Sequence, residues 1–161
     1  MRTSVFIVLV VGLSVGVGSV SGVPIRRHKE GVVRRALEKL RGTWVCVEGR
    51  MRDAEVGPSS NARLVLAHTH TLTIRGDHVV KDDAEKYTLT VNPTKNPKWF
   101  DLRPKGKEGQ ATIGIYEING DRLRVCYTYS GKERPTRFSL KEGTKDRPLQ
   151  LWTYERKAKS K

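Results

Sequence analysis

Aromatic residues are scarce in this chain: Phe, Trp and Tyr make up 7% of its 161 residues, and all hydrophobic types together reach 37%. Whatever core it builds is therefore modest, and the length suits one domain of ordinary size. Carboxylates are scarce as well. Seventeen Asp and Glu face 31 Lys and Arg, a formal net charge of +14. Such a charge attracts polyanions or anionic lipid surfaces. The cations are spread along the chain rather than gathered in one tract, which also fits a soluble β-protein whose wet strand faces favour Lys and Arg.

Catalytic signatures are missing too. The sequence holds no Gly-rich phosphate loop, no paired His-Glu metal motif and no nucleophile elbow. Beyond the first 22 residues the serines are only Ser59, Ser60, Ser130, Ser139 and Ser160, and none has a catalytic setting. No catalytic residue and no cofactor is assigned, and the chain reads as a non-enzyme. His68 and His70 share a strand face at a spacing that suits two imidazoles on one metal. No third ligand is specified nearby, and polar residues alternating on an exposed face account for them equally, so no metal site is assigned. Cysteine is limited to Cys46 and Cys126. Cys46 follows the inward Trp44 by two residues, whereas Cys126 alternates with Arg122 and Arg124 on the wet face. Opposite faces of a sheet cannot meet at disulfide geometry, so free thiols are expected.

Long apolar runs are confined to the start. Residues 1–22 read as a signal peptide: Arg2 gives a positive n-region, Val5–Val17 an apolar h-region, and Ser19-Val20-Ser21-Gly22 a small-residue cleavage site. The expected location is exported, periplasmic or extracellular, with no transmembrane span in the mature chain. Residues 23–41 are a basic linker and a short amphipathic helix near Glu30–Leu40, its apolar stripe made by Val33, Ala36, Leu37 and Leu40. That stripe suits a cap on one end of a barrel, and the basic residues around it also suit a membrane or nucleic-acid surface.

What is abundant is short β-strand signal. Strands are expected at Gly42–Glu48, Ala67–Arg75, His78–Lys81, Glu85–Asn92, Lys98–Leu102, Thr112–Tyr129 as a hairpin, Thr136–Leu140 and Leu149–Arg156. Asn92–Pro97 is a turn and residues 157–161 a basic tail. In Thr112–Tyr129, two β-rich runs flank Asn119-Gly120, which reads as a two-residue type I′ turn. Glu117 then faces Arg122, and Tyr116, Leu123, Val125 and Tyr127 share the inward face. The pattern predicts an all-β fold, a small antiparallel up-and-down barrel of eight or nine strands over residues 42–156 with one N-terminal helix.

Several landmarks occur in order: Leu-x-Gly-Thr-Trp at 40–44, Asn-Pro-Thr-Lys-Asn-Pro-Lys-Trp-Phe-Asp at 92–101, Gly-Ile-Tyr-Glu-Ile-Asn-Gly-Asp-x-Leu at 114–123, Cys126, and Gly-Lys-Glu-Arg-Pro-Thr-x-Phe at 131–138. Together they resemble the uncharacterised lipocalin-like domain that planctomycete bacteria carry in many copies, over about residues 36–156. Cys46 lies outside that pattern, and Arg52–Ala67 follows it loosely. The resemblance implies a calycin-type barrel and no particular activity. The Gly-x-Trp opening also resembles lipocalins proper, in which the tryptophan packs under an arginine from a late strand; Arg156 or Arg137 would fill that role by cation–π stacking on Trp44.

The expectation is a monomeric, non-catalytic binding module for a small apolar or amphipathic ligand, with Trp44, Tyr116, Leu123, Val125 and Tyr127 lining the barrel interior. The alternatives are a basic interaction protein for anionic envelope polymer or nucleic acid, and a secreted inhibitor presenting its loops.

Overall fold

The computed structural model describes residues 24–51, 63–65, 70–106, 110–129, 133–144 and 146–158, with the backbone alone at 24–28 and 63–65. The expected signal peptide at 1–22, the expected tail beyond 158 and His68 lie outside the described residues.

Helix α1 spans Pro24–Leu40, six residues longer at its start than the apolar spacing suggests. Proline is well tolerated in a first helical turn, where its missing N–H has no partner to lose. Ala36 and Leu40 are buried, Val33 and Leu37 pack against the core, and Arg34, Arg35 and Lys39 stay outside. Burying Leu40 alone stabilises the docking by roughly 1.5–3 kcal/mol. Gly42, with φ at +134°, turns the chain out of the helix and into the first strand.

Nine strands follow: β1 Gly42–Met51, β2 Arg63–Val65, β3 Thr71–Arg75, β4 His78–Lys81, β5 Glu85–Asn92, β6 Lys98–Pro104, β7 Thr112–Asn119, β8 Arg122–Thr128 and β9 Leu149–Arg156. Each of β3 to β8 pairs antiparallel with the next strand, β1 pairs with β3, and β9 returns to β1, so eight strands close a barrel. The three-residue β2 lies along the far end of β1, opposite Gly49–Met51. Closure removes the free edges that an open sheet would present.

Period-2 alternation holds around the wall. Trp44 and Cys46, Leu72 and Ile74, Leu89 and Val91, and Phe100 and Leu102 are buried at every second position. A bulge between Cys46 and Glu48 switches the parity of β1. Gly49 then faces Trp152, and a Cβ at Gly49 would come within 2.6 Å of the indole ring. On β9 the inward set is Gln150, Trp152 and Tyr154, which decides a facing that alternation alone leaves open.

Two expectations need correction. The hairpin turns on Gly120-Asp121, not Asn119-Gly120: Asn119 pairs with Arg122, and Glu117 faces Arg124 rather than Arg122. Gly120 alone has a positive φ, +57°, which matches glycine in the first central position of a type II′ turn. Each partner moves by two residues, so the inward face is unchanged. Second, residues 136–140 form no strand. Residues 133–144 and 146–148 instead fold over the outer wall as a strap. Arg134 grips Asp101 of β6 with both guanidinium nitrogens and donates to the Gly114 carbonyl at 2.5 Å. Pro135 and Gly143 of the strap are buried, and so are the outward-facing Ile115, Cys126 and Leu149 of the wall.

Candidate functional site

The five residues expected to line a cavity all lie in the core, each at most 5% exposed. They do not enclose a chamber. Only Val125 and Tyr127 border open space in the barrel, and that space amounts to about 10 Å³. A single water needs about that much room. Trp44 and Tyr116 fill the helix end, Phe100 and Tyr154 the middle, and Trp152 stacks beside Tyr154 at 6.4 Å between centroids. Large aromatic side chains pack small eight-stranded barrels solid.

At the end away from the helix, Tyr87, Tyr127, Tyr129 and Tyr154 ring the mouth together with Lys81. The Tyr127 and Tyr129 hydroxyls meet at 3.4 Å, and Gln150 accepts from Tyr129 at 3.5 Å and from Trp152 Nε1 at 3.0 Å. Burial raises the Tyr127 and Tyr154 phenols well above the ordinary range, so both stay protonated. His70 is held through one ring nitrogen and one ring edge. Its Nδ1 lies 2.8 Å from Asp82 Oδ2, and its ring meets Trp152 edge-on at 5.0 Å. Among the described residues no three His, Cys, Asp or Glu side chains converge as a metal site.

Both cysteines are free and buried. Cys46 points into the barrel. Cys126 points out of it, as alternation requires, yet it is not on the wet face: the strap covers it. Burial pushes the Cys126 thiol up from 9.0 to about 11, outweighing a hydrogen bond at the Ser139 backbone.

The helix end is closed by Arg156. Its guanidinium lies over the Trp44 ring at 4.0 Å. Nε donates to Asp121 Oδ1 at 2.8 Å, Nη2 to the Lys39 carbonyl at 2.9 Å and Nη1 to the Arg41 carbonyl. Trp44 Nε1 donates to the Leu40 carbonyl at 2.7 Å. Helix-terminal carbonyls that would otherwise lack partners are thus satisfied. Arg137 takes no part in this contact; it pairs with Glu142 on the strap. No protein-family model, curated protein or solved structure matches the chain.

Around the Arg156 clamp lies a broad depression of about 1050 Å³. Lys39, Arg41, Arg75, Lys98 and Lys157 line it, all exposed, against one carboxylate, Glu38. Elsewhere on the barrel several cations pair with carboxylates, Arg50 with Glu48 at 2.7 Å, Arg124 with Glu117 at 2.5 Å and Arg147 with Glu133 at 3.2 Å, while Lys86 and Arg103 stand apart from any such partner among the described residues. None of the five has such a partner among the described residues. Sequence reading does not find this cluster, because its members are scattered from residue 39 to residue 157. The usable signal is topological, since each stands where an element starts or stops at the same end of an up-and-down barrel.

Proposed function

We propose that this chain is an exported, monomeric, non-catalytic binding module of the planctomycete-type lipocalin-like family, and that it binds anionic envelope polymer on the basic end of its barrel. One contrast carries the reading: the interior is filled, whereas the helix end holds a broad depression lined by five unpaired cations. Net charge of +14 adds long-range attraction for such a partner. Binding of this kind weakens steeply with salt. Affinity for heparin, used as a general polyanion, is expected to fall at least tenfold between 50 and 200 mM NaCl, the lower part of the range for several neutralised charges. A salt-independent affinity, or none at 50 mM, would remove the reading.

The second reading keeps a small apolar or amphipathic ligand at the tyrosine-ringed mouth, where Tyr129 is 41% exposed. It requires Tyr127 or Tyr154 to swing aside. Native mass spectrometry of protein purified from its own host tests it: a retained small molecule favours the mouth, and a ligand-free protein favours the basic end. No feature of the described loops specifies a target for the secreted-inhibitor role.

A further inference from the structure

The depression's lining narrows the chemistry of its partner, given the reading of the protein as a polyanion binder. We infer that it takes a bare linear phosphate chain, recognised through its charged oxygens and not through bases or sugar rings. Three observations support this. No exposed aromatic lines the depression: Trp44 lies beneath Arg156 and is fully buried, and the apolar lining is limited to Ile74, Ile118 and Ala158. Single-stranded nucleic acid is normally held by stacking bases on aromatic rings, and this surface offers none. Next, the site is concave, whereas a duplex is read by a helix or ribbon projecting into its groove. Finally, charge is dense and one-signed. The two arginine forks, Arg41 and Arg75, suit pairs of phosphate oxygens, and the three lysines act as point charges between them.

Arg156 adds shape rather than charge. With Asp121 on Nε and two carbonyls on its terminal nitrogens, three of its five donors are committed to the fold and its charge is matched by the Asp121 carboxylate. It also covers the carbonyl end of α1, whose partial negative charge would otherwise repel an anion. The backbone N–H of Lys157 donates to the Thr43 carbonyl at 2.8 Å, which pins Lys157 at the rim of the depression.

Fluorescence anisotropy with end-labelled, medium-length sodium polyphosphate tests the proposal on the full mature chain. The double variant R75E/K98E reverses two exposed cations of the depression. The control K86E/R103E carries the same net charge change at two exposed, unpaired positions near the other end of β5 and β6. Circular dichroism checks that both are folded. Expected are a loss of at least tenfold for R75E/K98E, no more than about twofold for the control, and weak competition by orthophosphate, which lacks the linked charges. Equal losses in both variants would overturn the site and leave the polyanion reading standing. Absence of any polyphosphate or heparin binding by the parent at 50 mM NaCl would overturn both. Tighter binding of heparin, of a single-stranded oligonucleotide or of anionic phospholipid vesicles than of polyphosphate, at equal anionic charge, would overturn the phosphate-chain assignment alone.

Discussion

Arg156 ties separate parts of the fold together through one side chain. It joins the last strand to the helix, to Trp44 of the first strand and to Asp121 of the β7–β8 turn. Replacement by lysine keeps a cation over the indole and loses the fork that spans two carbonyls and a carboxylate. R156K is therefore expected to lose about 1–2 kcal/mol and R156A about 2–4 kcal/mol, read as shifts in the urea midpoint. Equal stability of R156A and the parent would show the clamp to be ornamental. Gly42 is the clamp's neighbour. A Cβ there would come within 2.8 Å of Arg156 Nη1, at a φ of +134° that other residues rarely adopt. G42A combines both costs and should destabilise by about 1–3 kcal/mol, measured the same way. The tryptophan–arginine contact was legible as a pair of alternatives, Arg156 or Arg137. Sequence spacing could not choose between them, because the choice depends on where the strap travels.

At the scale of elements, the strap is what alternation cannot reveal. Period 2 says which side of a strand a residue faces and nothing about what covers that side. Hence Cys126 reads as wet and is buried, and Thr136–Leu140 reads as a strand although Arg137 and Thr136 instead bond Glu142 within the strap. The strap is fastened to β6 by Arg134, which pairs with Asp101 and lies over Trp99 at 4.4 Å. R134A is expected to free it while the barrel persists. Cys126 should then react with a thiol reagent in native buffer within minutes, whereas the parent should need denaturant. Unchanged protection in R134A, with far-ultraviolet dichroism intact, would show the strap to be held by Pro135 and Phe138 instead. The helix and most strands were legible because their apolar spacing is local. The hairpin register missed by one turn position, because Asn119-Gly120 and Gly120-Asp121 are both acceptable turn pairs and only cross-strand packing selects one.

For the whole molecule, burial of weakly acidic groups sets an alkaline limit. Cys126 is pushed up to about 11 and Tyr116 to about 12, both by burial, and Tyr127 and Tyr154 move in the same direction. A group with a higher pKa folded than unfolded contributes its full stability below the unfolded value and loses it as pH rises toward the folded one. Thermal melts should therefore be steady up to about pH 9 and decline from pH 9 toward 12. Burial raises the Cys46 thiol in the same direction, so Cys126→Ala should reduce the earliest part of that decline without abolishing it, and a melting temperature still level at pH 11 in the parent would contradict the linkage. The barrel class follows from strand count and turn spacing, whereas the packed interior does not. Whether large side chains meet or leave a chamber depends on strand tilt and on bulges such as the one after Cys46, which carry no strong sequence mark.

The last strand pairs along β8 on one side and along β1 on the other. Until β9 is in place, two long edges stand open and Trp44 lacks its arginine. Completion of the ring thus waits for β9, whose pairs with β1 lie 99 to 112 residues apart, from Met51–Gln150 to Trp44–Arg156. Such distant pairing favours slow assembly. A chain interrupted anywhere before residue 149 would keep both edges available to another copy, so incomplete products are expected to aggregate instead of accumulating as a smaller soluble barrel.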